Sequence, residues 1–171
     1  MNKTALIIID IQNDYFPEGK FALDNTEQTL NNIKQAIKIA NANNFTIIHV
    51  QHLGGTEADG APFFIEETEG VNIHNDVIAA APDATIITKR HADSFLNTRL
   101  DEELQSKNIS ELLICGMMTQ NCVTHTALSK KADEYQVKVL PECCTTVDGI
   151  TNALALMALG DRLPLIHLSQ L

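Results

Sequence analysis

The sequence predicts an α/β fold, a mostly parallel sheet with helices on both faces in three layers. Three observations support this. Apolar runs of strand length alternate with stretches of helical period along the 171 residues, the pattern of repeated strand–helix–strand units. The runs are continuously apolar and β-branched, as in Leu6-Ile7-Ile8-Ile9, which suits strands buried on both faces. Asp10, Lys89 and Cys122 fall at or just past the ends of such runs, where a parallel sheet opens its ligand crevice.

Taken in order, residues 5–9 are the first strand, ended by Asp10. Residues 11–19 form a loop punctuated by Asn13-Asp14 and Pro17-Glu18-Gly19. Over residues 26–43, Leu30, Ile33, Ile37 and Ala40 recur at helical spacing, with Asn25 or Thr26 as N-cap and Asn43-Asn44 as the stop. Residues 45–50 are the second strand, leaving His49 and His52 near its end. Residues 54–70 are a long loop carrying Phe63-Phe64, and such a loop in a compact domain is functional or disordered. Residues 85–88 are the third strand, ended by Lys89. Residues 98–107 are a helix, opened by Thr98 and Asp101 as a near capping box. Residues 112–115 are the fourth strand and 122–133 the next helix. Residues 137–140 are the fifth strand, stopped by Pro141. Residues 150–159 are helical with Gly160 as C-cap, and 164–168 are a short last strand.

Hydrophobic residues make up 44% and charged residues 20%, so a folded chain of one domain, residues 1–171, is expected. A formal net charge of −10 argues against nucleic acid or an anionic membrane as partner. No apolar run approaches the ~18–20 residues that span a bilayer. Met1-Asn2-Lys3-Thr4 leads straight into a strand-like segment without a signal-type apolar region. A cytoplasmic location, with the four cysteines reduced, is therefore expected. No C-x-x-C or H-E-x-x-H pair occurs, so neither zinc nor another cofactor is predicted.

The chemistry centres on Cys122, which follows the turn Gly116-Met117-Met118-Thr119-Gln120-Asn121. An ordinary thiol, with a pKa near ~8.5, is mostly protonated at neutral pH and needs activation. A helix N-terminus can lower its pKa, and a neighbouring base or cation can do the same work. Asp10 suits the general base, and Lys89 suits an ammonium that steadies both anions. Free N–H groups of the same turn suit an oxyanion hole. The ordinary alternatives are a small apolar Cys, a turn Asp and a solvated Lys. Cys115, Cys143 and Cys144 are read as packing residues. His125, three residues after Cys122, is a rival base on the same helical face. Helical side chains lean toward the N-terminus, so Cys122 would point away from it. His91 is placed near the rim. His49 and His52 lack a carboxylate at ligand spacing.

Three blocks of sequence go further. They are Leu6-Ile7-Ile8-Ile9-Asp10-Ile11-Gln12-Asn13-Asp14-Tyr15-Phe16; Thr88-Lys89 with Ser94-Phe95-Leu96-Asn97-Thr98-Arg99-Leu100; and the turn from Gly116 to Val123 with Thr126-Ala127. In that order and spacing the chain resembles the isochorismatase-like cysteine hydrolases, which include nicotinamidase and N-carbamoylsarcosine amidase. The resemblance implies a six-stranded parallel sheet of order 3-2-1-4-5-6. It implies Cys122 as nucleophile, Asp10 as general base and Lys89 as third member. It also implies a cis peptide between Met117 and Met118, with the Met118 and Cys122 N–H groups as oxyanion hole. Two methionines there depart from the smaller or β-branched residues of the family pattern.

Nicotinamidases carry an Asp-x-His and a further His that bind a metal. The matching His49-Val50-Gln51-His52-Leu53-Gly54 has no Asp, so the resemblance implies a metal-free member that does not act on nicotinamide. Members that cleave a vinyl ether tend to lack the nucleophilic Cys, so Cys122 favours hydrolysis of a small amide-like C–N bond through a thioester. Gln12, Tyr15, Phe16, His52 and Phe95 lie beside these blocks and are the expected substrate contacts. The Phe63-Phe64 loop is expected to be a lid or a subunit contact, in a homodimer or higher homo-oligomer. A non-catalytic binding or scaffold protein, a vinyl-ether hydrolase and a thiol redox function are the alternatives.

Overall fold

The computed structural model describes residues 3–171. Its sheet has five strands: β1 Thr4–Ile9, β2 Thr46–His52, β3 Thr85–Lys89, β4 Glu111–Met117 and β5 Gln136–Thr145. They lie in the order β3-β2-β1-β4-β5, every pair parallel. β1 is central and buried along its whole length, with Ile7 set between Ile48 of β2 and Ile114 of β4. That position explains its lack of polar alternation, since both faces are covered. The helices are α1 Thr26–Ala42, α2 Asn75–Ala80, α3 Leu100–Ser106, α4 Thr124–Ala127 and α5 Gly149–Gly160. α1 buries Leu30, Ile33, Ala36, Ile37 and Ala40, one helical stripe, against β1, β2 and β5. Among the described residues, no helix is long and apolar enough to cross a membrane.

The expected sixth strand at 164–168 is not formed. Leu165 makes one isolated bridge to Val139, with the Val139 N–H donating to Pro164 O and the Ile166 N–H to Val139 O, each at 3.0 Å. Pro164 has no N–H to extend a ladder, and a 3₁₀ turn at Leu168–Gln170 carries the chain away. β5 also does not stop at Pro141. The register slips so that Ile114 faces Val139 while Gly116 faces Cys144, and a bulge of this kind tolerates a proline.

Smaller differences concern helix ends. Asn25 is the N-cap of α1 but in a left-handed conformation, without a side-chain cap bond. α3 starts at Leu100, and the expected capping box is absent because Asp101 accepts instead from Tyr135 Oη at 2.7 Å and Lys131 Nζ at 3.0 Å. Gly160 is the last residue of α5, and Asp161 caps it. α2 was not expected, since six residues are too short to show a helical period.

Gly116, near the end of β4, has φ 129°, and a Cβ there would run into the carbonyl oxygen of Ile9. Only glycine allows β4 to press this closely on the end of β1.

Candidate active site

The carboxyl ends of four strands meet here. Asp10 follows β1, His52 and Lys89 are the last residues of β2 and β3, and Cys122 lies in the turn after β4. His52 and Lys89 are register partners, so adjacent strands deliver both side chains to one face. Asp10 takes a left-handed φ of 53°, a region that Asp tolerates better than most residues and that recurs at functional sites. Its N–H donates to Val50 O at 3.0 Å, and its carbonyl accepts from the Gln12 N–H at 2.9 Å.

Lys89 Nζ donates to Asp10 Oδ2 at 2.8 Å and to Cys122 Sγ at 3.2 Å, and lies 2.7 Å from His52 Nδ1. Asp10 is fully buried, and Lys89 and Cys122 are each 2% exposed, so these charges interact with little screening. Burial works to lower the Lys89 pKa, but Asp10 and then Cys122 outweigh it and hold the ammonium above its ordinary value. Burial and the Asp10 charge push the Cys122 thiol well up, against the pull of Lys89. The reason is charge balance: Asp10 and Lys89 already neutralise one another, and a thiolate would leave a net negative charge in a dry site. Both effects favour the neutral thiol of Cys122 over the thiolate. Asp10 Oδ1 is buried without a hydrogen-bond partner, an acceptor left free.

The expected helix over 122–133 is much shorter. Thr119–Val123 form a π-type turn, α4 adds four residues, and the chain leaves the helix at Leu128. β-Branched Val123, Thr124 and Thr126 are poor helix formers, and the two threonine hydroxyls are spent elsewhere. Thr124 Oγ1 donates to Thr119 O at 2.6 Å, and Thr126 Oγ1 accepts from the Ser94 N–H at 3.0 Å. So short a helix has little dipole to offer Cys122, and the local cation is Lys89. The Met117–Met118 peptide is cis. Thr119 Oγ1, 2.6 Å from Asn152 Oδ1 of α5, braces the turn from behind.

The other predicted residues divide. Gln12 is buried but has no amide group to spare: Nε2 donates to His52 O at 2.9 Å and Val71 O at 2.7 Å, and Oε1 accepts from the His52 N–H at 2.7 Å. These bonds clamp the end of β2. Tyr15 is buried, and its phenol pKa is pushed up by burial and then by the charges of Asp10, Cys122 and Asp14, so it lies near Asp10 and Cys122. Phe16 packs on His74 at 4.5 Å between ring centres, and Phe95 stacks on Tyr135 at 6.2 Å. His125 is exposed, its Nδ1 2.8 Å from Asn121 O. His49 is buried in mid-strand, and burial lowers its pKa against the opposing effect of the Ala81 backbone. Phe64 is buried 4.6 Å from the Tyr15 ring and 5.9 Å from His52, so the long loop folds over the site within the chain. Asp14 pins it, Oδ2 accepting from the Phe64 N–H at 2.6 Å. The clamping role of Gln12 and the pinning role of Asp14 had no signal in spacing, because their partners are backbone atoms of distant loops.

A cavity of about 260 Å³ lies beside Lys89, lined by Leu53, Thr88, Lys89, Arg90, His91 and Asn97. A larger one, about 400 Å³, opens at the amino ends of β2 and β3 around Phe45, Thr46 and Thr85. It touches no predicted site residue, and the smaller one meets the site only at Lys89, whose side chain is unexposed. Asp10, His52 and Cys122 offer ligand atoms within 4.8 Å of one another. Each of those three residues is already partnered by the Lys89 ammonium, so a metal ion would have to displace a buried cation.

The likeness to known proteins agrees with this geometry. The chain is 41% identical over 143 residues to the uncharacterized isochorismatase family protein YddQ of Bacillus subtilis, covering 84% of this chain and 78% of that one. It is 26% identical over 156 residues to the ureidoacrylate amidohydrolase RutB of Cronobacter sakazakii, covering 72% and 66%. The crystal structure of an isochorismatase hydrolase from Oleispira antarctica superposes with a TM-score of 0.85 at 28% identity, covering 99% and 95%. Residues 4–163 match the isochorismatase domain, and the chain belongs to the isochorismatase-like hydrolase family.

Proposed function

We propose that the chain is a cysteine-dependent amidohydrolase that cleaves an amide-like C–N bond of a small molecule without a metal. The observation that carries this reading is the buried Lys89 ammonium bonded at once to Asp10 and Cys122, with Asp10 Oδ1 left free. On attack, Cys122 Sγ bonds to the carbonyl carbon and its proton passes to Asp10. The Met118 and Cys122 N–H groups receive the oxyanion. The C–N bond then breaks, Asp10 returns the proton to the leaving nitrogen, and a thioester remains. Water attacks next, giving one proton to Asp10, and the acid departs as the thiol reforms. The amidohydrolase among the relatives supports a C–N substrate, and Tyr15, His52 and the Phe63-Phe64 loop are the side chains best placed to meet it.

The test is a screen of small amides and ureides for ammonia or amine release, repeated with hydroxylamine present. A thioester route diverts product to the hydroxamate. Turnover that yields only the acid, whatever the hydroxylamine concentration, overturns it.

The assembly we propose is a homodimer built on α5. Ile150, Leu154 and Met157 are 76%, 56% and 65% exposed and fall on one stripe of a helix without a charged residue. Helices apolar on all sides are normally covered. A membrane surface is disfavoured, since interfacial helices carry Lys and Arg opposite their apolar face. A second copy suits best: on a chain of net charge −10, an uncharged patch is where two copies meet with least repulsion. Sedimentation velocity should show a dimer that Leu154→Glu with Met157→Glu converts to a folded monomer. A monomeric parent protein, or a dimer that survives both changes, sinks the idea.

A further inference from the structure

Lys89 has three N–H bonds, and each finds a partner: Asp10 Oδ2 at 2.8 Å, His52 Nδ1 at 2.7 Å and Cys122 Sγ at 3.2 Å. An ammonium has no lone pair, so His52 Nδ1 has to be the acceptor, and the ring proton then sits on Nε2. The competing arrangement is a protonated His52 paired with Asp10, but that contact is 3.9 Å, with the lysine closer to both. A charged ring would also set cation against cation in a largely buried place. Burial first, and the Lys89 charge second, push the imidazole down to about 4.

The ring is held in place. Gln12 bonds both the N–H and the C=O of His52, and the imidazole lies 5.9 Å from the ring of Phe64. Among the described residues, Nε2 has no protein partner and is not a sealed polar atom. A lysine head group needs such support, since it is a compact charge with freely rotating donors on a flexible stem.

We propose that His52 is the positioning residue for Lys89: a neutral ring protonated on Nε2, whose Nδ1 takes one ammonium hydrogen and so aims the other two at Asp10 and Cys122. The catalytic consequence rests on the cysteine-hydrolase reading, but the tautomer does not.

Two measurements decide it. In protein labelled with ¹⁵N-histidine, two-bond ¹H–¹⁵N spectra of the resting enzyme should show His52 as the Nε2–H tautomer, unchanged from pH 8 down to pH 6. A ring that titrates near the free-histidine value of about 6.5, or carries its proton on Nδ1, overturns the proposal. With a substrate from the screen, His52→Ala should lower kcat by roughly 10- to 100-fold, the scale of one lost hydrogen bond to a charged group. His52→Gln, whose amide oxygen can accept the same bond, should recover most of that loss. Equal losses in the two variants, or no loss in either, overturn it. Failure of the cysteine mechanism shows up separately, as turnover that persists without Cys122.

Discussion

Replacing Cys122 by Ala should remove turnover, by on the order of 10⁴- to 10⁶-fold, the cost of deleting a nucleophile outright. The fold should survive. The side chain is 2% exposed, and losing one sulfur atom leaves a small cavity worth about 1 kcal/mol. The Asp10–Lys89 pair is untouched by the change and still neutralises itself. Steady-state ammonia release and thermal unfolding check the two halves of the expectation, and a variant with full activity would rule out the thioester route. The raised thiol pKa adds a pH signature to the parent protein. Iodoacetamide should alkylate Cys122 slowly at neutral pH and faster as the medium turns alkaline. Rapid labelling at neutral pH would mean a standing thiolate, which the charge balance of the site opposes.

Lys89→Met should damage stability and activity together. Lysine and Asp10 are both without side-chain exposure, and stripping the cation from such a pair typically costs about 3–5 kcal/mol, because a buried carboxylate is left without a partner. His52 Nδ1 and Cys122 Sγ lose their donor at the same time. The double variant Lys89→Met with Asp10→Asn should recover much of the stability and none of the activity. That separation distinguishes a catalytic pair from a merely structural one. If denaturant unfolding shows Lys89→Met as stable as the parent, the pair is not the electrostatic centre of the site. The pH dependence has a definite sign. The folded Lys89 pKa is raised, so the stability it contributes is fully present below the unfolded lysine value. It is lost as pH rises through the folded one, which puts its loss in the alkaline range and leaves neutral pH unaffected.

The parts of this site that could be read from sequence were those with a periodic or terminal signal. Continuous β-branched runs marked β1 to β4, and the residues where those runs stop are the ones the structure brings together: Asp10, Lys89 and the turn to Cys122. What could not be read depended on contacts between distant backbones. Pro141 looked like a strand end, but a bulge against β4 carries β5 past it. Pro164–Leu168 had strand composition, but a proline and a following turn leave it one bridge. The helix after Cys122 looked long because its apolar spacing continued, while threonine hydroxyls bonding to neighbouring groups cut it short. Gln12 was expected as a substrate contact because it lies beside the Asp10 block. Its amide bonds to the backbone groups of His52 and Val71 left no trace in the spacing.

The contact of Gly116 with the Ile9 carbonyl has a consequence for how such an enzyme can diversify. Ile9 precedes Asp10, and Gly116 opens the turn to Cys122, so the gap between those two residues is gauged by main chain against main chain. Loops 54–70 and 90–99 can then exchange side chains without altering that spacing. The spacing at the strand ends and the loops around it are thus separately heritable.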